Sequence, residues 1–119
     1  MSDQRALVED AARAAGLQPA HWSDDGRFLL LVGVQYPWNP VIDNGDCAAL
    51  EAACSIDVNW YDERVIASIG LDIVDGIDAD EFYVTHADDR QAARRLASTR
   101  AAAAAWRDAA STVREGSSS

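Results

Sequence analysis

The chain has no lysine, so all 10 of its basic residues are arginine, and against them stand 20 aspartates and glutamates. The resulting formal net charge of −10 repels nucleic-acid phosphates and anionic membranes, so direct binding to either is not expected. Long apolar runs are also missing, since none approaches the roughly 20 residues of a membrane span. Met1-Ser2-Asp3-Gln4-Arg5 lacks the basic-then-apolar order of a secretory signal, which predicts residence in the cytoplasm of the cell that makes the protein. Cysteine is scarce. Cys47 and Cys54 fall on one predicted helix about 10 Å apart along its axis, too far for a disulfide, and read as buried reduced thiols.

Recognisable catalytic signatures are absent too. There is no Gly-x-Ser-x-Gly elbow, no P-loop and no Gly-x-Gly-x-x-Gly. The two histidines, His21 and His86, have no cysteine or glutamate at a familiar ligand spacing. Asp72, Asp75, Asp78, Asp80 and Glu81 are oxygen donors close in sequence, yet they miss the Asp-x-Asp-x-Asp-Gly run of a calcium loop and read as a solvated acidic connection. No catalytic residue, metal or cofactor is expected, and the chain reads as a non-enzyme.

What is present is a core. With 119 residues, 49% of them hydrophobic, the chain is long enough for one domain, read as 1–115 followed by a disordered tail at 116–119. Asp3 to Ala15 reads as an amphipathic helix, with Ser2 as cap, a stripe of Leu7, Val8, Ala11, Ala12 and Ala15, and Gly16 as the left-handed stop. Gln18 to Ser23 reads as an edge strand and Asp24-Asp25-Gly26 as a hairpin turn. Phe28 to Val34 is apolar at consecutive positions, which predicts a strand buried on both faces. Tyr36-Pro37 and Asn39-Pro40 break regular structure, their isomeric state left open by sequence. Asp43 and Asp46 then head a short helix, in capping-box spacing, that runs to about Cys54.

Ile56 to Tyr61 alternates as a half-buried strand, Asp62-Glu63 makes a turn, and Arg64 to Ile73 returns with Val65, Ala67 and Ile69 on one face. Asp75 to Glu81 reads as a connection and Phe82-Tyr83-Val84 as a short extra strand. Thr85 and Asp88 resemble a capping box before a long alanine-rich helix from about His86 to Arg114. Its apolar positions Ala92, Leu96, Thr99, Ala103, Trp106, Ala110 and Val113 step by three and four, which suits packing on its own sheet or against a partner helix. The expected architecture is α+β: a small antiparallel sheet of four to five strands with helices on both faces, in the order α-β-β-α-β-β-(β)-α.

Two stretches carry a family resemblance. Trp38-Asn39-Pro40 leads through Asn44-Gly45-Asp46-Cys47-Ala48-Ala49-Leu50 into a helix, and Ala92-Ala93-Arg94-Arg95-Leu96 is followed by Arg100 and an alanine run. On these the chain resembles small phage proteins that carry the phage ABA-sandwich domain. Cys47 stands where alanine is usual, and the acidic segment 75–81 lies outside the pattern. The resemblance implies a phage or prophage origin and helices on both sides of a β-layer. It implies no activity and no catalytic residues.

Between Val41 and Glu81 the only base is Arg64, so an acidic surface is expected there. Its candidate binding residues are Asp43, Asp46, Asp72, Asp75, Asp78, Asp80 and Glu81, facing a host protein with a basic surface, such as one that normally holds nucleic acid. Trp38 sits in a Pro-bounded loop, where burial and exposure are both open; exposed beside Tyr36, the two would anchor an interface. The alternative expectation is an assembly protein forming a homodimer through residues 92–113.

Overall fold

The computed structural model describes the backbone of residues 2–70 and 76–118 and the side chains of residues 4–70 and 76–109. The elements are α1 (Ser2–Ala14), β1 (Pro19–Trp22), β2 (Leu29–Leu31), α2 (Asn44–Cys54), β3 (Asp57–Trp60), β4 (Arg64–Ile69), β5 (Ile77–Phe82), a 3-10 turn (Tyr83–His86) and α3 (Arg90–Ser118). The class is α+β. The five strands form two antiparallel sheets, a β1-β2 hairpin and a β3-β4-β5 meander.

α3 is the spine. It packs against α1, α2, β4 and β5, and of residues 97–103 only Arg100 is exposed. A helix buried nearly all round cannot carry an ordinary amphipathic stripe. Its alanines, Ala93, Ala97, Ala101, Ala102 and Ala103, are all fully buried, and their small side chains let neighbouring elements approach its backbone from several directions. The heptad stripe expected from sequence is therefore too narrow, and Trp106, which lies on it, is 38% exposed.

Gly16 and Asp43 act as expected, whereas Asp46 does not complete a capping box, its carboxylate accepting from the Asn39 amide instead. Gly16 has φ of 81°, and the Leu17 amide donates to Ala12 O at 2.9 Å while that of Gly16 donates to Arg13 O at 3.0 Å, closing α1 with paired terminal bonds. Asp43 caps α2, its Oδ1 accepting from the Asp46 amide at 2.9 Å. The Asp62-Glu63 turn joins β3 to β4, with the Tyr61 amide donating to Arg64 O at 2.8 Å.

Several expectations are corrected. β2 is three residues long, and Val32 beyond it is 55% exposed, so the Phe28–Val34 run is not buried on both faces. The acidic segment expected as a connection is largely a strand, β5, in which Ile77, Ala79 and Glu81 turn inward and Asp78, Asp80 and Phe82 are exposed. Tyr83 and Val84 lie in the 3-10 turn, not in a strand. Asp89, not Thr85, caps α3, its Oδ1 accepting from the Ala92 amide at 3.0 Å. Thr85 instead donates to Phe82 O. The backbone of α3 continues to Ser118, and the returning strand ends at Ile69, with Leu71 and Ile73 outside the described residues.

The largest correction concerns the sandwich. Cross-strand partners share a face, and the register pairs Val58 with Ala67, Ala67 with Ala79, and Ile69 with Ile77. That face meets α3. The opposite face carries Asp57, Asn59, Asp78, Asp80 and Phe82, all exposed, with Arg64, Ile66 and Ser68 half-buried between them. Among the described residues no helix covers it. Ile66, though apolar, sits on the open side between Asn59 and Asp80.

Candidate protein-binding face

The end of the meander at the β3-β4 turn carries an aromatic cluster. Tyr83 is buried, and its hydroxyl lies 2.8 Å from both Tyr61 O and Arg64 O, tying the β3-β4 turn to the start of the 3-10 turn. The Tyr83 amide donates to Glu63 O at 3.0 Å. Trp60 stacks on the Tyr83 ring with centroids 6.4 Å apart, and the Arg90 guanidinium lies 4.6 Å from the same ring centroid. Sequence offers one reason for this order. Tyr83 follows β5 directly, so the strand's end delivers its ring under the neighbouring turn.

Around this buried anchor the exposed residues are apolar. Tyr61 is 50% exposed, Phe82 41% and Val84 76%. The Arg64 guanidinium lies between two of them, 6.0 Å from the Tyr61 ring and 5.7 Å from that of Phe82, with Nη1 3.7 Å from Asp80 Oδ2. Beside Phe82 and Val84 opens a cleft of about 360 Å³, rimmed by Asp62, Glu63, Asp88 and Arg90. Exposed apolar side chains ringed by charge are the anatomy of an interface rather than of a closed ligand pocket. Carboxylates dominate the ring, and Arg64 and Arg90 are drawn over aromatic faces, where cations are stabilised.

Of the residues expected at a binding surface, Asp78 and Asp80 lie on this open side. Glu81 does not. It turns inward, with Oε1 2.8 Å from His86 Nε2 and Oε2 bonded to the Arg100 guanidinium. Asp72 and Asp75 lie outside the described residues. Asp43 is spent as the α2 cap. Asp46 accepts from the Asn39 amide through Oδ2 at 2.9 Å; burial raises its carboxyl pKa and the nearby Asp43 charge adds to the rise, against the lowering effect of that amide.

The Tyr36–Trp38 anchor does not form. Tyr36 is 65% exposed, but Trp38 is 4% exposed because its backbone pairs with Leu29, N to O at 3.0 Å and O from N at 2.9 Å. Asn39 completes this knot. Its Nδ2 donates to Arg27 O at 2.7 Å and its Oδ1 accepts from the Val41 amide at 2.9 Å. The most distinctive stretch of the sequence is thus a structural keystone.

Tyr61, Asp62, Glu63, Phe82, Val84 and Asp88 were missed as surface-forming residues. A signal existed: Ile77-Asp78-Ala79-Asp80 alternates with period two, as a one-sided strand should. A second cluster is interior. Glu51 accepts from Arg94 and Ser98 and receives the Cys47 thiol at 3.4 Å. It holds α2 to α3.

No protein-family model matches the chain, and neither a curated protein nor a solved structure matches it significantly. Among the described residues no three His, Cys, Asp or Glu side chains converge as a metal site requires. No described helix is long and apolar enough to cross a membrane.

Proposed function

We propose that this chain is a phage- or prophage-encoded accessory protein that works by binding another protein, through the open face of β3–β5 and its aromatic end. The partner is a host protein with a basic surface, of the kind that holds nucleic acid, and occupying that surface would inhibit a nucleic-acid-binding or defence complex. One observation carries the reading: exposed Tyr61, Phe82 and Val84 lie among the carboxylates of Asp62, Glu63, Asp80 and Asp88, at the end of a sheet face that no helix covers among the described residues. The apolar residues supply contact area, and the acids supply steering and choice of partner. No catalysis is assigned to the chain, and its action is placed in the host cytoplasm.

The test is retention of a host protein on the immobilised chain at low salt, with its identity and charge read by mass spectrometry. The expected partner is basic, elutes as salt rises, and is released by nucleic acid. Phe82→Asp and the pair Asp78→Arg, Asp80→Arg should each abolish retention while leaving the fold intact. Retention that is indifferent to both changes overturns the proposal.

A second reading, self-association through α3, has its own observation. Trp106 is partly exposed beside an apolar hollow of about 210 Å³ lined by Ala14, Cys54, Ile69 and Ala105. Mass in solution decides it. A dimer that Trp106→Ala dissociates supports self-association, and a monomer at high concentration removes it.

A further inference from the structure

A cleft of about 400 Å³ lies between α1 and the β1-β2 hairpin, with Arg5, Arg27, Trp22, Asp25, Asn39 and Ile42 on its walls. Two of its wall residues are arginines, and like Arg90 neither reaches a carboxylate among the described residues. Arg13, Arg64, Arg94, Arg100 and Arg107 each reach a carboxylate. Neither Arg5 nor Arg27 has an ion pair or a side-chain hydrogen bond among the described residues, although the chain holds twice as many acids as bases. Arg5 is held by packing: its guanidinium carbon lies 5.4 Å from the Trp22 ring centroid. It also lies so close over Gly26, whose φ is 72°, that a Cβ there would collide with it.

Asp25 shares the cleft and senses the Arg27 charge, but makes no ion pair with it among the described residues. Its Oδ1 already accepts from the Ser23 hydroxyl at 2.6 Å and from the Arg27 amide at 3.0 Å. The Trp22 indole donates to Glu9 Oε2 at 2.8 Å, which fixes its ring as a wall. Two guanidiniums without carboxylate partners, beside an aromatic wall and the apolar Ile42, form a site for an anion with a small apolar body.

We propose that this cleft binds a small organic phosphate monoester. Guanidinium forks match phosphate oxygens in paired hydrogen bonds, and about 400 Å³ leaves room for more than the phosphate itself. The net charge of −10 opposes a polyanion, so the ligand is small and held locally rather than a nucleic-acid strand. The site shares no residue with the β3–β5 face, so either proposal can fail without the other.

The experiment is titration of the full chain with phenyl phosphate and, separately, with inorganic phosphate, followed by the Trp22 indole N–H and the arginine Nε–H resonances. Phenyl phosphate should shift them saturably and bind more tightly than inorganic phosphate. Arg27→Gln, which breaks no hydrogen bond or ion pair among the described residues, should weaken binding about tenfold or more, the loss of one charge-assisted hydrogen bond. Asp25→Asn keeps the acceptor oxygen for the turn, removes a repelling charge, and should tighten binding. Absence of a saturable shift, or affinity unchanged by Arg27→Gln with the remaining spectrum intact, overturns the proposal.

Discussion

Arg94 of α3 grips Glu51 of α2 with both arms of its guanidinium, Nε to Oε2 at 2.9 Å and Nη2 to Oε1 at 2.6 Å. The pair is largely buried, with side-chain exposures of 19% for Arg94 and 13% for Glu51, and Ser98 adds a third bond to the same carboxylate at 2.7 Å. Next along α3, Arg95 donates to Val41 O and to Asn44 Oδ1, both at 2.7 Å. Consecutive arginines therefore fasten the head and middle of α2 to the central helix, and through α2 they fix the loop that carries Asn39.

Removing one partner leaves the other charge in a poorly hydrated place. Glu51→Gln should destabilise the protein by about 2 to 3 kcal/mol, somewhat below the loss for a fully enclosed pair. Arg94→Met should cost a similar amount, and the double variant less than the sum. Denaturant melts of the four proteins check this, and strict additivity would contradict the geometry.

Acid should act through the same residue. Burial alone would raise the Glu51 carboxyl pKa, but the bonds from Arg94 and Ser98 and the guanidinium charge outweigh it, so the carboxyl titrates below its ordinary 4.5. A depressed folded-state pKa means that the stabilisation is fully present above 4.5 and is lost as pH falls through the lower folded value. Asp46, with its raised pKa, has the opposite sign, so the measurement is a difference. Stability of the native chain minus that of Glu51→Gln should shrink on acidification below the ordinary carboxyl range, and a constant difference would refute the assignment.

What could be read from sequence was local. Gly16 stops α1, Asp43 caps α2 and Asp62-Glu63 turns the meander, because each acts on residues within a few positions of itself. What was missed depends on distant partners. Alanine fits a buried or an exposed helical face equally, so the all-round burial of 97–103 left no periodic trace. Ile66 reads as core until the register places it beside Asn59 and Asp80. Trp38 is buried by pairing with Leu29, a contact that no spacing announces. The candidate face was half legible, through Asp78 and Asp80, and its aromatic end was hidden because Tyr61 and Phe82 approach the same Arg64 only across the sheet.

Asn39 is the residue on which the loop turns. It is 4% exposed and satisfies Arg27 O, the Val41 amide and Asp46 Oδ2 in one place. Asn39→Ala deletes the two side-chain bonds and strands a partly buried carbonyl and amide, which should cost about 2 kcal/mol. Asn39→Asp, which keeps an acceptor for Val41 but cannot donate to Arg27 O, should also destabilise. Thermal melts should rank the two below the native chain, and an Asn39→Ala protein of native stability would show that the knot is dispensable.

The two thiols should separate in reactivity. Cys47 is fully buried, and its pKa is pushed up to about 12, first by burial and then by the Glu51 charge. Cys54 is half-buried on the last turn of α2, with its pKa raised by burial alone. Since thiolate is the nucleophile, a disulfide reagent near neutral pH should label Cys54 more slowly than a free cysteine. It should label Cys47 only as fast as the protein opens. The raised value also sets the alkaline behaviour: the neutral thiol of Cys47 favours the fold below 9.0, and that contribution is lost as pH rises from there toward about 12. Cys47→Ala should remove this alkaline limb while leaving a small cavity against α3. Rapid labelling of Cys47 in the native protein would mean that α2 detaches from the spine far more readily than the Arg94 and Arg95 clamps imply.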